Sequence, residues 1–168
     1  MKLLRTGDPN GKYWMPAMSD APLRGYNGRH EWFWEPGDEA HVFPLEKLVE
    51  MYTKSVGRNS TLILGLTPNP DGLMPEPDVM RLKEWGDEIR RRFGRPIAQG
   101  SGEGDTLVVD LGRSQRINHA ILMEQIARGE RVRAYVLEGL SNANWVKLCE
   151  GSCIGHKHIA QFEDVTVT

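Results

Sequence analysis

The chain has 168 residues, a mass of 19.0 kDa, a net charge of −2, 39% hydrophobic residues and 26% charged residues. That is enough for one ordinary globular domain or slightly more. The charge removes the electrostatic case for a nucleic acid or an anionic membrane as partner. No apolar run approaches the length of a membrane span, and Met1–Pro9 lacks the apolar core of a secretory signal.

Residues 1–29 are rich in turn formers: Gly7-Asp8-Pro9-Asn10-Gly11, Pro16, Pro22, Gly25 and Asn27-Gly28. Such a long stretch without periodicity is usually functional or disordered. Tyr13, Trp14, Met15 and Met18 argue for an ordered loop. A strand is expected over His30–Glu35, with Trp32 and Trp34 on one side and Phe33 on the other, ended by Pro36-Gly37-Asp38.

A helix is expected over 44–56, where Leu45, Leu48, Val49, Tyr52 and Val56 share a face, Pro44 suits the first turn and Gly57 the stop. Leu62-Ile63-Leu64 and Leu66 then form an apolar run between turn signals, which predicts a strand over 61–66 buried on both faces. A second helix is expected over 78–93, with Val79, Leu82, Trp85, Ile89 and Phe93 as its stripe. Arg90, Arg91 and Arg92 favour its dipole. Helix, buried strand, Pro/Gly-rich loop and helix is the rhythm of an α/β barrel or a doubly wound sheet. In both, chemistry sits at the carboxyl ends of the strands, so the loop 67–77 is a place to look for function.

Residues 95–105 are Gly-rich and mark the best domain boundary. Their spacing does not fit a phosphate loop. Beyond them the pattern turns to short strands, expected over 106–111, 117–124, 132–138, 145–150 and 160–168, which indicate an antiparallel sandwich. The stretch is shorter than the roughly 100 residues such a domain commonly needs.

The five Trp are informative by position, since Trp14, Trp32 and Trp34 fall within the first 34 residues. Clustered Trp in loops can stack on the apolar face of a pyranose, or can be large core side chains. Asp20, Arg24, His30, Glu31 and Glu35 lie nearby. Arg24 or His30 could hold a sugar hydroxyl, or Arg24 could simply pair with Asp20. Glu31 and Glu35 are separated by four strand residues, roughly 13 Å, too far for a glycosidase pair. Asp71 reads as a turn residue in Asn-Pro-Asp-Gly. Cys149 and Cys153 read as free thiols. With His156 and His158 they fit no recognised zinc spacing, so no metal is expected.

Residues 14–94 resemble the end of the catalytic barrel of α-L-fucosidases of glycoside hydrolase family 29. The matching pieces are Trp14-Met-Pro-Ala-Met-Ser-Asp20, Trp32-Phe33-Trp34, Leu48-Val-Glu-Met-Tyr52 with Ser55-Val-Gly-Arg-Asn59, Leu62-Ile-Leu-Gly-Leu-Thr-Pro68 with Asp71-Gly72, and Leu82-Lys-Glu-Trp-Gly86. Residues 105–168 look like the start of the sandwich that follows the barrel in many members, through Met123–Tyr135, Trp145 and Gly155–Ile159.

The resemblance implies α/β followed by all-β. The last βα units of a (β/α)8 barrel would occupy 1–95, a linker 96–104, and a truncated galactose-binding-like antiparallel β-sandwich 105–168. It implies a retaining hydrolase with two carboxylates about 5 Å apart, acting on a fucosylated glycan or small fucoside without metal or cofactor. The family's nucleophile, acid/base and sugar-holding histidines would all lie upstream of Trp14, so no catalytic residue is expected here. Relatives often carry Glu at the position of Met18. By resemblance, Trp32, Trp34, Trp14 and Arg24 would contribute to the sugar site, and full-length relatives are commonly secreted, periplasmic or lysosomal. The alternative reading is a non-catalytic carbohydrate-binding or scaffold protein.

Overall fold

The structure is a computed structural model and describes residues 7–13, 15, 17–27 and 32–168. The chain divides into two compact units, Pro16–Val56 with Ser60–Arg95, and Met1–Met15 with Gly57–Asn59 and Pro96–Thr168.

The first unit holds strand β1 (Ala17–Pro22), a short 3-10 turn (Asp38–His41), helix α1 (Leu45–Lys54), strand β2 (Ser60–Gly65) and helix α2 (Glu76–Phe93). β1 and β2 pair in parallel, with Ala17 opposite Ser60 and Pro22 opposite Gly65. Side chains alternate across a strand, so Ser19, Ala21 and Leu62 face α1. With Met51 and Ser55 they border a cleft of about 360 Å³. Met18, Asp20, Thr61 and Ile63 point the other way. Met18 is 69% exposed and Ile63 44%. The expectation that β2 is buried on both faces is therefore corrected. Among the described residues only one side of the sheet is covered, and the apolar run supplies more hydrophobic surface than one layer hides.

β1 replaces the strand expected over His30–Glu35. Its residues include Pro22 at the end and small side chains with little strand preference, so it is held by its pairing with β2 rather than by composition. Trp32–Glu35 form no strand, and His30 and Glu31 lie outside the described residues. The two helices are close to expectation. α1 buries Leu48, Val49 and Thr53. α2 starts two residues earlier than its apolar stripe indicated, because Glu76 and Pro77 complete its first turn. Tyr52 of α1 stacks on Phe93 of α2, with ring centroids 5.7 Å apart, and meets Trp85 edge-on at 6.4 Å. Val79, expected in the stripe, is half exposed.

The second unit holds β3 (Gln115–Leu122), a 3-10 turn (Ile126–Arg128), β4 (Tyr135–Ser141), β5 (Asn144–Gly151) and β6 (His158–Val167). β3 pairs antiparallel with β6, and β4 with β5. The strand expected over 106–111 is absent. Leu107 and Val108 are mostly exposed, and an isolated extended segment without a hydrogen-bonded neighbour is no strand. The strand expected over 132–138 shifts to β4, whose register is fixed by its hairpin with β5. Asn142 and Ala143, at φ of 49° and 62°, form the turn. Ile159, Ala160 and Val167 are buried. A Cβ on Gly139 would stand 2.6 Å from Val167 Cγ1, so β4 needs glycine there. The Glu124 carboxylate accepts from the backbone N–H groups of Arg131, Val132 and Gly155 and ties three loop segments together. The stretch Gly57–Asn59 joins this unit through Asn59 N–H to Lys157 O and Ile159 N–H to Gly57 O.

Candidate functional site at the carboxyl ends of the parallel strands

β1 ends at Pro22 and β2 at Gly65. Just beyond β1 the chain is zipped to a second segment. Leu23 N–H donates to Gly65 O at 2.9 Å, Phe43 N–H to Leu23 O at 3.0 Å, and the N–H groups of Gly25 and Tyr26 both donate to His41 O. Arg24 faces Val42 in an isolated antiparallel bridge. Tyr26 meets Phe43 edge-on at 5.7 Å. Residues 23–26 and 41–43 are therefore the two feet of one loop, and that loop carries Trp32 and Trp34.

Arg24 is fully buried, as is its partner Asp78 in the first turn of α2. Nε donates to both carboxylate oxygens at 3.1 Å, and Nη2 donates to Oδ1 at 2.9 Å. The partner is thus Asp78 and not Asp20, which lies on the open side of the β1–β2 sheet. Two charges removed from water persist only with such geometry. Nη1 is buried without a hydrogen-bond partner among the described residues. Arg24 is therefore enclosed, with no solvent-facing surface.

Trp32 is 43% exposed, and its ring lies on Gly65 at the end of β2: a Cβ there would stand 3.0 Å from the ring. Glycine lets the indole rest on the backbone, with much of its surface still open. Trp34 is half-buried, and its Nε1 finds no partner among the described residues. Trp14 lies outside the described residues. Beyond β2, Thr67 is 3% exposed, and its hydroxyl is likewise buried without a described partner. Asn69 Oδ1 then accepts the N–H groups of Asp71 and Leu73, which makes 69–73 a tight turn and places Asp71 within it.

In the sequence, Asp78 has only the look of a helix start and Gly65 only that of a break in an apolar run. A first-turn carboxylate able to meet a distant arginine leaves no local signature. Among the described residues no cluster of three His, Cys, Asp or Glu could hold a metal. Burial raises the thiol pKa of Cys149 and Cys153, with Glu130 adding to the rise at Cys153. Burial lowers that of His158, with Arg58 adding to the fall. The rise at the two thiols runs opposite to the lowering that activates a catalytic cysteine.

No protein-family model matches the chain. A solved structure from Bacteroides thetaiotaomicron, assigned as an α-L-fucosidase, is 56% identical and superimposes with a TM-score of 0.94, covering 99% of this chain and 39% of that one. A glycoside hydrolase 29 family member from an unknown rumen bacterium is 32% identical, with a TM-score of 0.83, over 96% of this chain and 30% of that one. The chain matches the C-terminal part of family 29 α-L-fucosidases. In sequence, a rice protein (Oryza sativa subsp. japonica) assigned as α-L-fucosidase 1 is 30% identical over 94% of this chain. The chain spans 36% of that rice protein, so the fucosidase match concerns a segment. Among the described residues the segment is α/β with one parallel strand pair, and its other paired strands are antiparallel.

Proposed function

We propose that this chain forms the C-terminal part of a retaining α-L-fucosidase that releases terminal α-L-fucosyl groups from a glycan or small fucoside. In this reading β1, α1, β2 and α2 are the last βα units of a (β/α)8 barrel. The exposed face bearing Met18, Asp20, Thr61 and Ile63 is the barrel interior, and the second unit begins a β-sandwich. Trp32 supplies an aromatic wall of the fucose pocket, with Trp34 on the same loop and Arg24 buried at the foot of that loop. Trp14, assigned to the pocket by resemblance, lies outside the described residues.

The observation that carries the reading is the Trp32 indole, seated on Gly65 at the carboxyl end of a parallel strand and still 43% exposed. Barrel enzymes place their chemistry at that end. An indole face complements the apolar face of a sugar ring. The nucleophile and the acid/base are supplied by sequence outside this chain, so the chain alone has the wall and not the reaction.

The test is release of 4-nitrophenol from 4-nitrophenyl α-L-fucoside by purified chain shown to be folded by circular dichroism. The expected result is no turnover. Turnover that disappears in Trp32→Ala would place the catalytic carboxylates within this chain and overturn their assignment elsewhere.

A further inference from the structure

The loop that carries Trp32 and Trp34 is held at both feet by one helix. Its first foot is Leu23–Tyr26, and the Arg24 side chain there is gripped by Asp78 through three hydrogen bonds of 2.9–3.1 Å. Its second foot is His41–Phe43, and Phe43 O accepts from Arg81 Nη1 at 2.5 Å. Asp78 and Arg81 are three residues apart, so they project from the same face of α2. Arg81 is itself steadied by Glu84 at 2.8 Å. The feet are also joined to each other by backbone hydrogen bonds, and the first is joined to β2 through Leu23 N–H and Gly65 O. Gly65 is the residue on which Trp32 rests.

We propose that Asp78 and Arg81 are positioning residues, a two-point clamp that sets where Trp32 and Trp34 stand at the carboxyl end of β2. Neither touches the bound sugar. They act through the loop, and a displacement of the feet is carried to the indoles because the loop is closed at its base. An indole moved off the plane of the sugar ring loses the stacking contact that its face supplies. That the wall receives a fucoside rests on the function proposed above. The clamp rests on the geometry alone.

The experiment uses the full chain, labelled with 15N, and reads the five Trp indole N–H signals in wild type, Asp78→Asn, Arg81→Ala and Arg81→Lys. Titration with 4-nitrophenyl α-L-fucoside is followed in each. The expected result is that Asp78→Asn and Arg81→Ala shift the Trp32 and Trp34 signals and leave that of Trp145, which belongs to the second unit, in place. Arg81→Lys, which keeps a donor, restores most of the wild-type positions. Affinity for the fucoside falls by up to about tenfold in the two disruptive variants, the scale of one lost aromatic contact.

Variants that lower the melting temperature while the Trp32 and Trp34 signals stay put would reduce the clamp to a structural tie and overturn the proposal. If Asp78→Asn does not fold, Arg81→Ala decides, because Arg81 is partly exposed and its loss leaves no buried charge behind. Indole shifts without fucoside binding in any form, wild type included, would uphold the clamp and count against the sugar wall.

Discussion

Arg24 and Asp78 are the residues whose environment departs furthest from their type. Both are normally surface residues, and here neither reaches solvent. Removing one partner strands a charge in the interior, which costs about 3–5 kcal/mol, whereas replacing both with apolar groups of similar volume is often close to neutral. Arg24→Met alone and Asp78→Leu alone are therefore each expected to lower stability by about 3–5 kcal/mol, and the double variant by clearly less than the sum. Urea denaturation of the four forms measures this. Additive losses would mean that the two side chains act independently. The pair was not readable from sequence because 54 residues separate its members. Sequence reasoning offered Asp20 as the partner on proximity alone.

The helix α2 shows the opposite situation, in which local sequence suffices. Apart from Asp78 and a second bridge from Arg92 to Glu46 of α1, its charges pair within the helix, with Arg81 to Glu84, Asp87 to Lys83 and Arg90, and Glu88 to Arg91 and Arg92. Glu88 accepts first from Arg91 and then from Arg92, and these bonds hold its pKa down at about 2, against an ordinary value of 4.5. The folded value is the depressed one. The contribution of Glu88 is therefore fully present above pH about 4.5 and is lost as the pH falls toward 2. Titration followed by circular dichroism should show helix content falling in that window. Glu88→Gln should flatten part of the fall, and molar salt should shrink it by screening the pairs. A pH dependence unchanged in Glu88→Gln would assign the acid loss to other carboxylates. The three arginines that end the helix are thus partners of carboxylates, in keeping with a dipole and solvation role rather than a phosphate site.

At the scale of the whole molecule, the β1–β2 sheet is the incomplete part. Its face bearing Met18 and Ile63 and its outer strand edges have no covering layer among the described residues. Exposed parallel strands with an apolar face invite pairing with other chains. The isolated chain is therefore expected to associate as concentration rises, and Ile63→Lys to reduce that association. Sedimentation velocity reads the difference. Equal association in both forms would assign the contact to another surface, such as the exposed Val136 and Trp145 of the second unit. The chain spans 30–39% of the relatives compared in sequence and fold, which fits a sheet that needs further strands.

The helices, β2, the change to short antiparallel strands after the Gly-rich stretch and the fucosidase resemblance are all legible in the chain as written. Each rests on local periodicity, on turn chemistry, or on motifs read along the chain. That Ala17–Pro22 is a strand, that 106–111 is not, that Arg24 is held by Asp78 and that Trp32 rests on Gly65 are properties of the fold. A strand exists when a neighbouring backbone supplies its hydrogen bonds. A buried ion pair exists when two distant segments exclude water together. Both conditions belong to the folded arrangement, and no window of sequence contains them.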